Sequence, residues 1–100
     1  MIFIHNSYDG RELLEHGYHK GVKMNGITTR DGIELEECDV VETVQGTVFF
    51  CVNFFGLRPH LIDTNMKYYP LESYMSPNLW KIGNLYENPK LRNLFRVANS

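Results

Sequence analysis

The chain is 100 residues long, 43% hydrophobic and 13% aromatic, with a formal net charge of −2. That length has room for one domain and enough apolar material for one core, which argues against a multidomain protein and a disordered chain. The slightly acidic balance lacks the basic excess that phosphate neutralisation requires, so direct DNA binding is not expected.

No run reaches the roughly 18 apolar residues of a membrane span, and Met1 to His5 shows no basic region leading into a long apolar one, so a cytoplasmic protein is expected. Cys38 and Cys51 are the only cysteines and form neither a CxxC pair nor a dense framework, so both read as reduced thiols.

In chain order, Ile2 to His5 suits a short strand that ends at the turn formers Asn6 to Gly10. Arg11 to His16 then reads as a short helix, capped by Asp9 and interrupted at Gly17. Beyond Gly21 the pattern turns to β. Short runs at Val22 to Met24, Ile27 to Thr29, Ile33 to Leu35 and Val40 to Val44 are separated by Asn25-Gly26, Asp31-Gly32 and Glu37-Cys38-Asp39. Asn-Gly and Asp-Gly favour positive φ and hence tight turns.

Gln45-Gly46 turns the chain into its most hydrophobic stretch, Thr47 to Phe55, which reads as the central strand. Val48, Phe50, Val52 and Phe54 project from one face, and Phe49, Cys51 and Phe55 from the other. A strand apolar on both faces needs two covers. Either a second subunit supplies one, giving a homo-oligomer, or a closed barrel covered by a terminal helix does.

Strands continue over Leu57 to Ile62 and Lys67 to Tyr69, with Asp63-Thr64-Asn65 turning between them and with Pro59 and Pro70 limiting their length. Leu71 to Ser76 reads as irregular or briefly helical, and Leu79 to Ile82 as a last strand that stops at Gly83-Asn84. A C-terminal helix is expected from Pro89 to Val97. Asn88 is its N-cap, and Leu91, Leu94 and Phe95 form its apolar face.

Four constellations carry chemical interest. Asp31, Glu34, Glu36, Glu37, Asp39 and Glu42 lie in a stretch free of Lys and Arg, so the rest of the chain is net positive. Such a segment either presents an acidic surface that occupies a basic nucleic-acid channel on a host protein, or forms a solvated turn between strand ends. Tyr68, Tyr69, Tyr74 and Trp80, with Lys67 and Lys81 beside them, either stack on a nucleotide or pack in a core or interface. His16 and His19 stand three residues apart, a spacing that places two imidazoles on one helical face, but no third metal ligand accompanies them. His60 with Asp63 or Cys51 lacks the elbow and oxyanion loop of a nucleophile system, and the glycines follow neither phosphate-cradling spacing. No catalytic residue, metal or cofactor is expected.

Two segments resemble a known family. Asp31-Gly32-Ile33-Glu34-Leu35-Glu36-Glu37-Cys38-Asp39-Val40-Val41 is similar to the type Asp-Gly-x-x-Ile-Tyr-Glu-Gly-Asp-Ile-Val. Ile82-Gly83-Asn84-Leu85-Tyr86-Glu87-Asn88-Pro89-Lys90-Leu91 is similar to the type Ile-Gly-Asn-Ile-Tyr-Glu-Asn-Pro-Glu-Leu. Both types belong to the YopX-like family of phage and prophage proteins, and the resemblance covers residues 28 to 95. Glu36 stands where the family usually has an aromatic residue, and Cys38 where it usually has glycine, so the resemblance leaves the exact turn at 36–39 open, because cysteine accepts positive φ poorly. The first 26 residues diverge.

The resemblance implies a small barrel-like β domain that self-associates and is encoded by phage or prophage; together with the short N-terminal and C-terminal helices read from the sequence pattern, the expected fold is a mainly β (α+β) single unit over residues 1–100. The resemblance brings no catalytic residues, and Gly83, Tyr86, Asn88 and Pro89 read as architecture. The expected function is that of a non-enzymatic phage protein that binds and inhibits a host protein, such as a nucleic-acid-binding defence nuclease, in the manner of an anti-CRISPR. The alternatives are an oligomeric barrel that sequesters a nucleotide signal and an enzyme of another kind.

Overall fold

In the computed structural model, residues 22–54 and 57–95 are described. The expected strand at 2–5, the helix at 11–16, His16, His19 and residues 96–100 lie outside them. Among the described residues, seven strands and two short 3₁₀ helices follow one another: β1 (Lys23–Thr28), β2 (Glu34–Glu36), β3 (Asp39–Thr43), β4 (Val48–Phe54), β5 (Arg58–Asp63), β6 (Tyr68–Pro70), η1 (Ser73–Asn78), β7 (Leu79–Asn84) and η2 (Pro89–Phe95). The mainly antiparallel β architecture expected from the sequence is present. β1 and β2 form a two-stranded sheet, and the other five form a sheet in the order β6-β5-β4-β3-β7. Among the described residues no ladder joins β6 to β7, so this sheet is open.

The central strand is apolar on both faces, as its sequence requires, and each face has its own cover. Val40, Phe50, Val52 and Ile62 point toward Met66, Leu85 and Phe95, with Val48, Phe54, Tyr86 and Leu91 packed alongside. The ring of Phe95 meets Phe50 edge-on at 4.7 Å. We call this the C-terminal face. On the opposite, hairpin face, Val41, Cys51, Leu61 and Leu79 lie under Met24, Ile27 and Leu35 of the β1–β2 hairpin, with Phe49 and Met75 half-buried at the margin. The hairpin is stitched to η1, where the Ser76 hydroxyl donates to the Thr28 carbonyl.

Three hairpin turns share one backbone geometry. Thr29, Thr43 and Asp63 each accept at their carbonyl a hydrogen bond from the third residue on, Gly32, Gly46 and Met66, at 2.9 to 3.0 Å. Each of those residues has positive φ (87°, 89° and 66°). Glycine adopts this conformation without steric cost, which is why Asp31-Gly32 and Gln45-Gly46 were legible as turns. Met66 adopts it because the Asp63 carboxylate accepts the Asn65 and Lys67 amides at 2.9 and 3.0 Å, and because its side chain is buried in the core.

Two local expectations are corrected. Asn25-Gly26 has the positive φ of a tight turn (56° and 81°) but does not separate two strands. It forms a bulge within β1, where Lys23 pairs with Glu36 and Thr28 with Glu34. The extra residues let Met24 and Ile27, three apart, both reach the hairpin-face core. The C-terminal element is a 3₁₀ helix over Pro89–Phe95, and Leu94 faces solvent at 43% exposure. Asn88 does not cap it with its side chain. Its Oδ1 accepts the Asn84 amide at 3.0 Å instead, while Leu91 N–H bonds the Asn88 carbonyl in the three-residue pattern.

Gly83 sits under that return, where a Cβ would lie 2.5 Å from Leu91 Cδ1 and 2.6 Å from Asn88 Oδ1. Replacing Gly46 with alanine, where a Cβ would meet nothing within 4 Å, tests backbone strain alone. The expected loss in urea unfolding is about 1 kcal/mol. Gly83→Ala is expected to cost more, because the side chains of Leu91 and Asn88 must move as well.

Candidate functional site

Three places bring together the side chains with chemical interest: a buried polar junction, a ring cluster at the end of the C-terminal face, and a pocket on the hairpin face. The junction forms where β2 turns into β3. Asp39 is fully buried. One oxygen of its carboxylate accepts the Glu36 amide at 2.8 Å. The other accepts Asn84 Nδ2 at 2.9 Å and lies 3.2 Å from Lys81 Nζ. Glu37, 4% exposed, accepts the Asn53 amide at 2.6 Å, and Asn53 Nδ2 donates to the Lys23 carbonyl at 2.8 Å. These bonds tie the hairpin to β4 and β7, so the two carboxylates are satisfied by the fold itself.

Cys38 occupies the left-handed position of this turn, with φ at 72°. The turn that the sequence left open is thus one in which cysteine takes a positive φ where the resembling family has glycine. Cys38 N–H donates to the Cys51 carbonyl at 2.7 Å, and its own carbonyl accepts the Leu85 amide at 2.9 Å. Those bonds outweigh a left-handed penalty of roughly 1–2 kcal/mol. The two segments that carried the family resemblance thus meet in space, Asp39 opposite Asn84 in the β3–β7 ladder.

The acidic segment is split by this arrangement. Asp31 and Glu34 are exposed, Glu36 and Glu42 are half-buried, and Glu37 and Asp39 are interior. Glu37 and Asp39 therefore do not belong to an acidic surface, because backbone and side-chain amides draw them inward. Glu36 is engaged with Lys23 Nζ at 3.0 Å, which also lies 3.9 Å from Glu34. Asp31 accepts the Thr29 hydroxyl at 2.5 Å within its turn.

The four aromatic candidates do not converge. Tyr68, 56% exposed, lies on the C-terminal face with Phe54 and His60, their ring centroids 4.9 to 5.9 Å apart. Trp80 sits near the β7 edge, with the Arg30 guanidinium over its ring at 5.5 Å. Tyr74 projects from η1 at 75% exposure. Only Tyr69 reaches the pocket, whose other lining residues are Thr43, Gln45, Phe49, Leu61, Met75, Asn78 and Leu79. The pocket holds about 300 Å³, and its wall is almost wholly apolar. Phe49 and Tyr69 meet edge-on there at 5.9 Å and 85°. The Tyr69 hydroxyl donates to Asp63 at 3.2 Å, and the negative charge of that carboxylate raises the phenol's pKa.

His60, Asp63 and Cys51 do not assemble either. His60 points to the C-terminal face, with its Nδ1 2.9 Å from the Arg58 carbonyl, whereas Cys51 is buried on the hairpin face. Asp63 is engaged by its own turn and by Tyr69. Among the described residues no three His, Cys, Asp or Glu side chains are grouped to hold a metal ion, and no helix is long and apolar enough to cross a membrane. The pocket was missed by sequence reasoning because its lining comes from β3 to β7 and η1 together. The one available signal was the run of half-polar, half-apolar residues between Tyr68 and Leu79.

No family model matches the chain, and no curated protein matches it.

Two measurements check the junction. Asp39→Ala removes the acceptor shared by Glu36, Asn84 and Lys81, and is expected to cost about 3 kcal/mol in urea unfolding. Burial, reinforced by the charges of Glu37 and Asp39, raises the Cys38 thiol, and burial likewise raises Cys51 well above its ordinary value of 9.0. A thiol raised on folding contributes stability that is complete below the unfolded pKa and is lost above it. Stability is therefore expected to fall as pH climbs beyond about 9. Neither thiol is expected to react with a thiol reagent at pH 8 until the chain unfolds.

Proposed function

We propose that this chain is a non-catalytic, phage-encoded binding module that acts by occupying a surface of a host protein. The observation that carries the reading is the apolar-walled pocket beside Tyr69, whose lining residues have exposed apolar neighbours in the chain. Val44 (58% exposed) lies between lining residues Thr43 and Gln45, Tyr74 (75%) precedes Met75, and Tyr69 (42%) forms part of the wall. Exposed apolar side chains gathered around a concavity mark interaction surfaces more often than isolated ones do. The resemblance of residues 31–41 and 82–91 to YopX-like proteins supports the phage origin.

The edges of the sheet favour contact through a face over strand addition. Pro70 gives β6 no amide to donate, and the bulge at Ile82, between the Val40–Gly83 and Val41–Lys81 pairs, interrupts β7. Arg30 N–H also bonds the Leu79 carbonyl of β7 at 2.9 Å. A host protein, or a second copy of the chain, therefore meets side chains first. The exposed carboxylates Asp31 and Glu34 contribute charge at the turn of the β1–β2 hairpin, where they affect association rate more than affinity.

Replacing both Val44 and Tyr74 with serine is expected to abolish the protein's effect on its host target during phage infection. Because neither side chain is buried, the melting temperature is expected to stay within about 4 °C. Full activity of the double variant, with Glu34→Lys the inactive one instead, would overturn the reading in favour of an acidic contact.

A further inference from the structure

The β1–β2 hairpin is held to the rest of the fold in an unusual way. It forms its own two-stranded sheet, with no ladder to the five-stranded one. Met24, Ile27 and Leu35 instead pack on Val41, Cys51, Leu61 and Leu79. Scattered polar ties surround that apolar contact. The Asp39 carboxylate accepts the Glu36 amide at 2.8 Å, and Glu37 accepts the Asn53 amide at 2.6 Å. The Lys23 carbonyl accepts Asn53 Nδ2 at 2.8 Å, and the Leu79 carbonyl accepts the Arg30 amide at 2.9 Å. Ser76 donates to the Thr28 carbonyl.

Among the described residues, the covalent link between hairpin and sheet is Glu37-Cys38, which lies between the end of β2 at Glu36 and the start of β3 at Asp39. Cys38 has a φ of 72°, a left-handed backbone that glycine adopts freely and a residue with a Cβ does not. Extending Cys38 relieves that strain and joins β2 to β3 as one strand over residues 34–43. The hairpin then projects away and leaves the apolar hairpin face bare. A second copy, opened in the same way, carries the one hairpin already matched to that face. Each hairpin covers the other chain's sheet, and every tie named above is remade with the same partners across the two subunits. The exchange gives up the corner itself, where Cys38 N–H donates to the Cys51 carbonyl at 2.7 Å and the Cys38 carbonyl accepts the Leu85 amide. Short, strained hinges favour such an exchange, and mutual exchange closes into a twofold dimer.

We propose that two copies of this chain swap their β1–β2 hairpins, hinged at Glu37 and Cys38, to form a closed twofold dimer. The dimer offers every outer surface of the chain twice, and its formation involves neither Val44 nor Tyr74, so it stands apart from the host-contact reading.

The test uses the full-length chain, refolded from urea at millimolar concentration and separated into monomer and dimer by size exclusion. Thr28→Cys together with Ser76→Cys sets two thiols where the hydroxyls lie 3.1 Å apart, while Cys38 and Cys51 stay buried. On oxidation this pair is expected to join two chains in the dimer fraction and to close within one chain in the monomer fraction. Cys38→Gly, which removes the strain, is expected to weaken association at least tenfold. Cys38→Val, whose β-branched side chain tolerates positive φ still less, is expected to raise the dimer fraction. No dimer from either the parent chain or Cys38→Val would overturn the inference. A dimer whose paired thiols close only within single chains would overturn it in favour of contact through outer surfaces. A dimer fraction unchanged by both Cys38 variants would overturn the hinge. The variant with serine at Val44 and Tyr74 is expected to keep the dimer, so loss of the host effect there leaves the swap standing, and absence of a swap leaves the host contact standing.

Discussion

The need to hide both faces of β4 from water governs the rest of this fold. Phe50 and Val52 are fully buried toward the C-terminal face, while Cys51 is fully buried toward the hairpin face. A sheet in so short a chain normally leaves one face to solvent, which permits polar alternation. Here the alternation is lost, and the chain spends β1, β2 and η1 on one cover and the segment from Leu85 to Phe95 on the other. Burial of large apolar side chains, at roughly 1.5–3 kcal/mol each, is the dominant favourable contribution to that arrangement.

Asp39 keeps the two covers in register with the sheet. Its carboxylate accepts the Glu36 amide at the hairpin end and Asn84 Nδ2 at the start of the C-terminal return, with Lys81 beside it. A buried charge with several donors is specific in geometry even where its net energy is small, because a shifted register would leave it unpaired. The strained left-handed backbone at Cys38 belongs to the same unit, since the residue's amide and carbonyl bond to β4 and to Leu85 respectively. Charge that could have formed an acidic surface is in this way partly consumed by architecture. The exterior keeps Tyr74, Tyr68, Val44 and Leu57 among its large exposed apolar side chains.

The legibility of the sequence follows from how local each signal is. The turns at Gly32 and Gly46 were readable because a glycine supplies the positive φ that the hairpin needs within three residues of chain. The same geometry at Met66 had no such mark, since Asp63 and the core enforce it together. Asn25-Gly26 carried the right conformational signal but the wrong consequence. Whether a left-handed pair closes a hairpin or bulges a strand depends on what Met24 and Ile27 pack against. The Asn88-Pro89 pair announced a helix start correctly, yet the demand of Asn84 for an acceptor took the asparagine side chain away from the cap.

By itself the sequence determined the approximate positions of β2 to β7, the two-sided character of β4 and two of the turns, because each depends on side-chain alternation or on the φ preference of a single residue. The tertiary structure alone decided that Glu37 and Asp39 turn inward, that Tyr68, Tyr69, Tyr74 and Trp80 part company, and that a pocket opens beside Tyr69. Those outcomes depend on which residues, distant in the chain, meet across a sheet. An acid faces water or an interior amide, and a ring faces solvent or a neighbour, according to packing that no local pattern encodes.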